Sequence, residues 1–291
     1  GPGSAVFARS QSYGRSIATA IHNWYLTDNL NATNIGYILP PHVPGAWEPT
    51  PPAFVPIPVN PFIGKAHTYL ASNASAMAPP FPAPYSEDPA SDFYKIVKQV
   101  YDVSKTLTTE QKNIALFYVD QGNGLGYTPP GHDFSALTQA MEANHVSLAL
   151  AAEAYAKAGI AERDATIVCF RSKYQYNLLR PVTYIRKLID PSWLSFIATP
   201  PHPEYPAAHA FITGAVMQAA SRVLGDDLAF TDHSYDFRGF PSRSFPSLFA
   251  LAEEAGISRL YGGIHYLPSI NTGLALGKEM GNTIGDLSLH N

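Results

Sequence analysis

Proline limits most strongly how this chain can fold, because it is concentrated in one stretch. Fourteen of the 26 prolines lie between Pro40 and Pro89. Since proline lacks a backbone N–H and clashes with the preceding turn, this stretch cannot form a regular helix or a central strand. It is also too rich in Phe, Val, Ile and Tyr to be a solvated linker. We therefore predict that residues 40–90 form a long loop wrapped over the core.

Outside this segment, apolar residues recur at helical spacing. Thr108 and Thr109 precede Glu110 and Gln111, which is close to a capping box at a helix start. No alternating β-branched run is long enough to predict a strand with conviction. We therefore predict an all-α fold, with residues 5–291 in a single helical domain. The predicted helices are residues 12–28, 91–106, 108–119, 133–158, 161–178, 206–224, 246–261 and 271–287, with 133–158 and 161–178 joined near Gly159.

Composition excludes several classes of protein. The 291 residues are 46% apolar and 14% charged, which supports a sizeable core and excludes wholesale disorder. A net charge of -4 argues against a basic nucleic-acid surface. No stretch approaches the roughly 20 apolar residues of a membrane span. The single cysteine, Cys169, excludes an internal disulfide framework and leaves the redox compartment undecided.

The first four residues, Gly-Pro-Gly-Ser, resemble the remnant of a cleavable tag. We assign residues 1–4 to that remnant, so a native signal peptide could already have been removed.

The scarcity of charge also gives a rule for finding a site: a cluster of cations among apolar helices needs a specific reason.

One such group of cations is Lys173 with Arg180, followed by Pro181. Seven residues are nearly two helical turns, so we expect Lys173 and Arg180 to share a face of one helix. Pro181 then ends or kinks the helix beside Arg180. An ammonium next to a guanidinium suits an oxyanion. A solvated basic face is the alternative.

A second motif, from Pro200 to Ala210, leads into an apolar helix. Free backbone N–H groups at a helix start bind anions, and the small Ala207 and Ala208 side chains let a ligand approach. His209, in the first turn, could exchange protons with that ligand near neutral pH. The alternative is a buried histidine bonded to a carbonyl. His202 and His209 do not have the spacing of a zinc site.

The third motif runs from Ser258 to His265. Within one helix Arg259 and His265 would point to different faces. Gly262 and Gly263 break the helix between them, so both side chains could turn toward one point. An ordinary helix end with a glycine cap is the alternative.

In this order, the three motifs resemble those of the superfamily shared by vanadium-dependent haloperoxidases and type 2 phosphatidic acid phosphatases, including bacterial acid phosphatases. Its pattern is Lys-x6-Arg-Pro, then Pro-Ser-Gly-His, then Ser-Arg-x5-His followed by Asp. The resemblance to bacterial haloperoxidases also includes residues 20–24, 47–52 and 127–132, and so covers nearly the whole chain. It implies a helical bundle of the haloperoxidase and acid phosphatase type.

The resemblance implies a role for each motif. The groups that bind vanadate, or phosphate in the same site, are Lys173, Arg180, Arg259 and the backbone N–H of Ala208. His265 becomes the axial ligand to vanadium, or the nucleophile of a phosphatase. His209 becomes the acid/base.

In the haloperoxidase interpretation, hydrogen peroxide oxidises a halide at vanadate to a hypohalous-acid-type species that halogenates a small organic acceptor. His209 moves the proton and Lys173 polarises the bound peroxide. The alternatives are a vanadium-free acid phosphatase, with His265 attacking phosphorus, or a catalytically weakened oxyanion-binding relative. The resemblance further implies a secreted or periplasmic protein, and it is compatible with a homo-oligomer.

Three positions depart from the family pattern. Ala207 replaces the serine whose hydroxyl binds an equatorial oxygen, and Ala208 replaces the glycine. Ser269 replaces the aspartate that follows the last histidine, so the usual carboxylate that orients a nucleophilic histidine is absent at that position. That loss counts more against the phosphatase, because its nucleophile needs this partner.

Three further residues are candidates for supporting roles. Phe170 stands where many haloperoxidase-like chains have tryptophan, and His202 where bromoperoxidases have histidine and chloroperoxidases phenylalanine. His202 favours bromide or iodide, although it could simply line the entrance. Asp120 lies where the family often has an acid, and it pairs with Arg259 or His209 or is a surface carboxylate. His132 is assigned a structural role at a helix start.

Overall fold

The computed structural model describes residues 3–28, 34, 36–120 and 126–289. Gly1 and Pro2 of the predicted tag remnant lie outside the described residues. The all-α prediction is confirmed, with one short antiparallel hairpin in which Phe230 pairs with Phe245. The elements are α1 Ala5–Leu26, α2 Asp92–Lys105, α3 Thr109–Phe117, α4 Pro129–Ala143, α5 Leu148–Tyr176, α6 Pro181–Leu188, α7 Ala208–Leu224, β1 Phe230–Asp232, β2 Arg243–Phe245, α8 Leu248–Tyr261 and α9 Leu267–Gly285.

Helix α7 lies at the centre of the bundle and packs against α5, α8 and α9. Four glycines of α9, spaced four residues apart, lie on the side that faces α7. A Cβ added at Gly277 would lie 2.6 Å from the carbonyl oxygen of Phe211, and one at Gly273 would lie 2.9 Å from that of Ala207. The missing side chains therefore let the two backbones touch, which fixes the start of α7 against the start of α9.

The predicted helix break at Gly159 is wrong. Helix α5 continues through Gly159 as one 29-residue helix, and the chain breaks earlier, between α4 and α5. His145 there has a positive φ of 53°, and the Ser147 side chain caps α5 by accepting from the Leu150 N–H. Buried alanines on both sides of Gly159 belong to the core cluster shared with α7. Tertiary packing thus overrides the low helix propensity of one glycine.

The expectation that Lys173 and Arg180 share one helix is also wrong. Helix α5 ends at Tyr176, and Asn177 adopts the left-handed conformation that closes it. Arg180 is the residue before a separate short helix, α6, which Pro181 begins. Proline suits the first position of a helix, since its missing N–H would have no partner there.

The proline-rich segment holds two short 3-10 turns, Ile63–Lys65 and Ala71–Asn73, and no α-helix. It crosses α5, where the Arg171 guanidinium donates to the carbonyl oxygens of Gly64, Asn73 and Ala76. Its N–H and carbonyl groups also bond the chain just after α5, at residues 177–179. The segment therefore covers the end of α5 from which Lys173 projects.

Helix α1 packs little against the rest. Of its predicted apolar stripe, Ile17 and Ile21 are exposed, while Trp24 and Tyr25 are half-buried. The chain after this helix is held by a buried ion pair between Asp28 and Arg163. Within the described ranges, no helix combines the length and apolar character needed to cross a membrane.

Candidate oxyanion site

Lys173, near the end of α5, is completely buried. Its Nζ donates to the carbonyl oxygens of Pro203, Glu204 and Pro206 at 3.1, 2.8 and 2.5 Å. These bonds fix the loop that leads to α7. A direct contact between Lys173 and an anion would therefore replace one of them.

Arg180 connects the three motifs. Its Nη1 lies 2.8 Å from the Ile264 carbonyl oxygen and 3.1 Å from Nε2 of His265. Its Nε donates to the His202 carbonyl oxygen, and its Nη2 lies 3.0 Å from Nδ1 of His202. Arg180 thus lies between the loop before α7 and the turn after α8.

Arg259 enters from the last turn of α8. Its Nε donates to Oγ of Ser258 and its Nη2 to the carbonyl oxygen of Tyr118. Gly262 and Gly263 end the helix as predicted, with Gly263 at a φ of 75°. Within the described part of the chain, Nη1 of Arg259 has no hydrogen-bond partner, so it can still contact a ligand.

The start of α7 has free donors. Ala207 is its N-cap and no side chain caps the helix, so the N–H of Ala208 has no acceptor within the helix. The Ala207 N–H is already bonded to the Ser269 carbonyl oxygen at 3.2 Å. The helix start therefore offers the N–H of Ala208 without a serine hydroxyl beside it, and anion binding there stays a prediction.

His265 has a carboxylate partner, and it comes from a position other than 269. Position 269 is indeed serine, but Oε1 of Glu204 lies 2.7 Å from Nδ1 of His265. The other oxygen of Glu204 accepts from the Ser269 hydroxyl at 2.6 Å. A neutral histidine that donates from Nδ1 carries its lone pair on Nε2, the nitrogen beside Arg180.

Asp120 is buried and faces His209. Its Oδ2 is 3.4 Å from Nε2 of His209, a close contact that does not form a hydrogen bond. Its Oδ1 is 3.0 Å from Nδ1 of His132 and accepts from the Tyr235 hydroxyl. Asp120 is therefore not a surface carboxylate and lies beside His209, and its role as the partner of His209 stays a prediction.

Burial dominates the pKa values of the site. It lowers the pKa of Lys173 and raises that of Glu204, its close neighbour. Burial and then the charges of Arg180 and Lys173 lower the pKa of His265 well below its usual value. Burial and the charge of Arg259 lower the pKa of His209 to about 4, against the opposing effect of Asp120. Both histidines are therefore neutral at pH 7 in the absence of an anion.

The two candidate halide-site residues lie together. The rings of Phe170 and His202 have centroids 5.3 Å apart, and both side chains are buried. Since Arg180 also bonds His202, this pair borders the oxyanion site.

Comparison with known proteins shows which families and solved structures this chain is similar to. The family described as the VCPO second helical-bundle domain matches residues 153–192 and 189–289. The crystal structure of the first bacterial vanadium-dependent iodoperoxidase is similar at 36% identity and a TM-score of 0.86, covering 96% of this chain and 69% of that one. This chain belongs to the vanadium-dependent haloperoxidase family.

Two further haloperoxidase structures share the fold. The holo-type bacterial vanadium-dependent chloroperoxidase has a TM-score of 0.64 at 18% identity, covering 91% of this chain and 69% of that one. The apo-type has the same TM-score and identity, covering 87% and 65%. No match is found among curated proteins.

The residues of this haloperoxidase-family site fit vanadate. Lys173, Arg180 and Arg259 are buried cations, as an oxyanion requires. His265 offers a neutral nitrogen, and Arg259 has an unused donor. Arg180 and Lys173 would exchange bonds within the protein for bonds to the anion.

The sequence did not reveal two carboxylates. Glu204 lies between Pro203 and Tyr205 in the segment from Pro200 to Ala210, and an acid surrounded by apolar residues in a chain with few charges was its only signal. Asp232 is 2.8 Å from Nε2 of His132 but 100 residues away in sequence, so no local pattern marks it. His132 lies in the first turn of α4 and also bonds Asp120, the carboxylate beside His209.

Proposed function

We propose that this chain holds vanadate and uses hydrogen peroxide to oxidise iodide or bromide to a hypohalous-acid-type species, which halogenates a small organic acceptor. The observation that carries this proposal is the position of His265. Its Nδ1 is bonded to Glu204 and its Nε2 faces Arg180, in a pocket with two further buried cations.

The cations bind and orient the oxyanion. Arg259 can donate from Nη1, and the N–H of Ala208 adds a neutral donor at the helix start. When bound, vanadate supplies Lewis-acid activation of hydrogen peroxide. Lys173 holds the loop before α7 through its three carbonyl contacts, so it also fixes the position of His209.

His209 moves the proton. Hydrogen peroxide, halide and one proton give hypohalous acid and water, so the site must accept and return protons in each turnover. Neutral His209 accepts a proton on a ring nitrogen, and the adjacent Asp120 carboxylate stabilises the resulting imidazolium. The positive charge that His209 gains on protonation thereby stays next to the bound anion.

The halide preference is proposed from two observations. His202 and Phe170 adjoin the oxyanion site, and His202 is buried with a pKa lowered by burial and by Arg180. A neutral, polarisable pair suits a large, weakly hydrated halide. The similar bacterial structure is an iodoperoxidase. We further propose a secreted or periplasmic location, on the family resemblance alone.

The test is reconstitution with vanadate followed by three assays: peroxide-dependent oxidation of iodide, of bromide, and hydrolysis of p-nitrophenyl phosphate without vanadate. We expect oxidation of iodide above bromide and little hydrolysis. Absence of halide oxidation together with no vanadate binding at micromolar concentration would overturn the proposal. Hydrolysis alone would support the phosphatase.

A variant tests the ligand assignment directly. His265→Ala should abolish vanadate binding measured by isothermal titration. The matched control is His42→Ala, which changes an exposed histidine in the proline-rich segment. Retained binding in His265→Ala would remove His265 from its proposed role.

A further inference from the structure

The carboxylate of Glu204 is held from three sides. It is fully buried, and its Oε1 accepts from Nδ1 of His265 at 2.7 Å and from the backbone N–H of Tyr266 at 2.9 Å. Its Oε2 accepts from the Ser269 hydroxyl at 2.6 Å. Both oxygens are therefore used, and the carboxylate cannot rotate without breaking a bond.

The backbone of Glu204 is fixed as well. Its N–H donates to the Leu178 carbonyl oxygen, and its own carbonyl oxygen accepts from Nζ of Lys173. One residue thus connects the end of α5, the loop before α7 and the start of α9. A side chain on such a rigid support can set the orientation of its partner.

We propose that Glu204 is the positioning residue for His265: it keeps the proton on Nδ1 and directs the Nε2 lone pair to the oxyanion. With Ser269, it performs the role of the carboxylate that this chain lacks at position 269. A neutral imidazole has one donor and one acceptor nitrogen, so a carboxylate at Nδ1 selects the required tautomer. The inference rests on the proposed function only for the identity of the oxyanion.

The experiment moves the carboxylate. Glu204→Leu removes the acceptor, and Glu204→Leu with Ser269→Asp places a carboxylate at the neighbouring position. Phosphate affinity is measured by isothermal titration, and the tautomer of His265 by ¹⁵N NMR. We expect about tenfold weaker phosphate binding and mixed tautomers in Glu204→Leu. The double variant should recover most of the affinity and the Nδ1–H form.

Two further variants distinguish the positioning of His265 by Glu204 from an effect of the Glu204 charge alone. Glu204→Gln keeps an acceptor without the charge, so it should retain the Nδ1–H tautomer and lose less affinity than Glu204→Leu. Asp164→Asn is the control, because Asp164 is a buried carboxylate that bonds the loop at residues 69–73 instead. It should leave the His265 tautomer unchanged.

The proposal would be overturned if the Gln and Leu variants lost equal phosphate affinity while the His265 tautomer stayed unchanged. The Glu204 charge alone would then explain the effect. Wild-type phosphate binding in Glu204→Leu would also overturn the proposal. If Glu204→Leu does not fold, Ser269→Ala replaces it, because this variant removes only one donor to Glu204. Ser269→Ala should still weaken phosphate binding and broaden the His265 NMR signal. No change in either measurement would overturn the proposal. Neither readout needs vanadium or peroxide, so a protein without halide oxidation would refute the proposed function and leave this inference standing.

Discussion

Asp120 and His132 form a buried ion pair in which Oδ1 of Asp120 lies 3.0 Å from Nδ1 of His132. Asp232 contacts the other ring nitrogen at 2.8 Å, so the imidazole is bonded on both sides. Asp120 in turn faces His209. His132, in the first turn of α4, therefore helps to hold the carboxylate beside the proposed acid/base.

This pair predicts a loss of stability at alkaline pH. Burial alone would lower the pKa of His132, but bonds to Asp120 and Asp232 raise it to about 10. Because the unfolded-state pKa is near 6.5, the stabilisation is fully present below about pH 6.5 and is lost as pH rises toward 10. At roughly 1.4 kcal/mol per pKa unit, the effect is a few kcal/mol.

The measurement is the free energy of unfolding, from denaturant titrations between pH 6 and pH 9.5. His132→Asn should be less stable at pH 6 and should lose most of this pH dependence. His42→Gln, at an exposed site, should follow the wild type. A His132→Asn curve parallel to the wild type would contradict the raised pKa.

Removing the acid/base should affect rate more than binding. We expect His209→Gln to lower kcat for iodide oxidation by about 10²–10⁴-fold, since it removes a positioned proton-transfer group. Phosphate affinity should change little, because the cations and His265 stay in place. Steady-state kinetics and isothermal titration measure the two effects, and His233→Gln, at an exposed surface histidine, is the control. A near-normal kcat would exclude His209 as the acid/base.

Restoring the family serine should strengthen the helix start. In Ala207→Ser the hydroxyl occupies the N-cap of α7, which no side chain caps at present. We expect about 1 kcal/mol more stability, as is typical of an N-cap serine over alanine. Phosphate affinity should rise several-fold if the hydroxyl contacts the anion instead. Thermal melts with and without phosphate distinguish the two, and no change in either would show that Ala207 does not limit the site.

The turn after α8 should tolerate no side chain. Gly263 has a φ of 75°, and an added Cβ would lie 3.2 Å from the Trp193 ring. We expect Gly263→Ala to cost about 1–2 kcal/mol from the left-handed backbone alone and to weaken phosphate binding by displacing His265. Gly239→Ala is a matched control, because Gly239 has a φ of 77° with open space around it. It should lose similar stability but bind phosphate normally; equal binding losses would show that the turn does not position His265.

The bundle and most helix positions follow from local rules. Proline density predicted the wrapping segment, and the capping box of Thr108 and Gln111 is present as expected. The predicted helix break at Gly159 was wrong because one glycine is a weak local signal. Packing of the surrounding alanines against α7 outweighs its low helix propensity. The prediction that Arg180 lies in the same helix as Lys173 was wrong because the left-handed conformation of Asn177 ends α5 a full turn before Arg180.

The order of residues along the chain is enough to identify the cations and histidines of the candidate site. They lie in three ordered motifs: Lys173, Arg180, Arg259, His209 and His265. The carboxylates that bond the histidines are identified by the packing of the helices. Glu204 is 61 residues from His265, and Asp232 is 100 residues from His132. A motif records residues that are near in sequence, whereas a buried charge is stabilised by whichever partner the packed helices bring within hydrogen-bond distance.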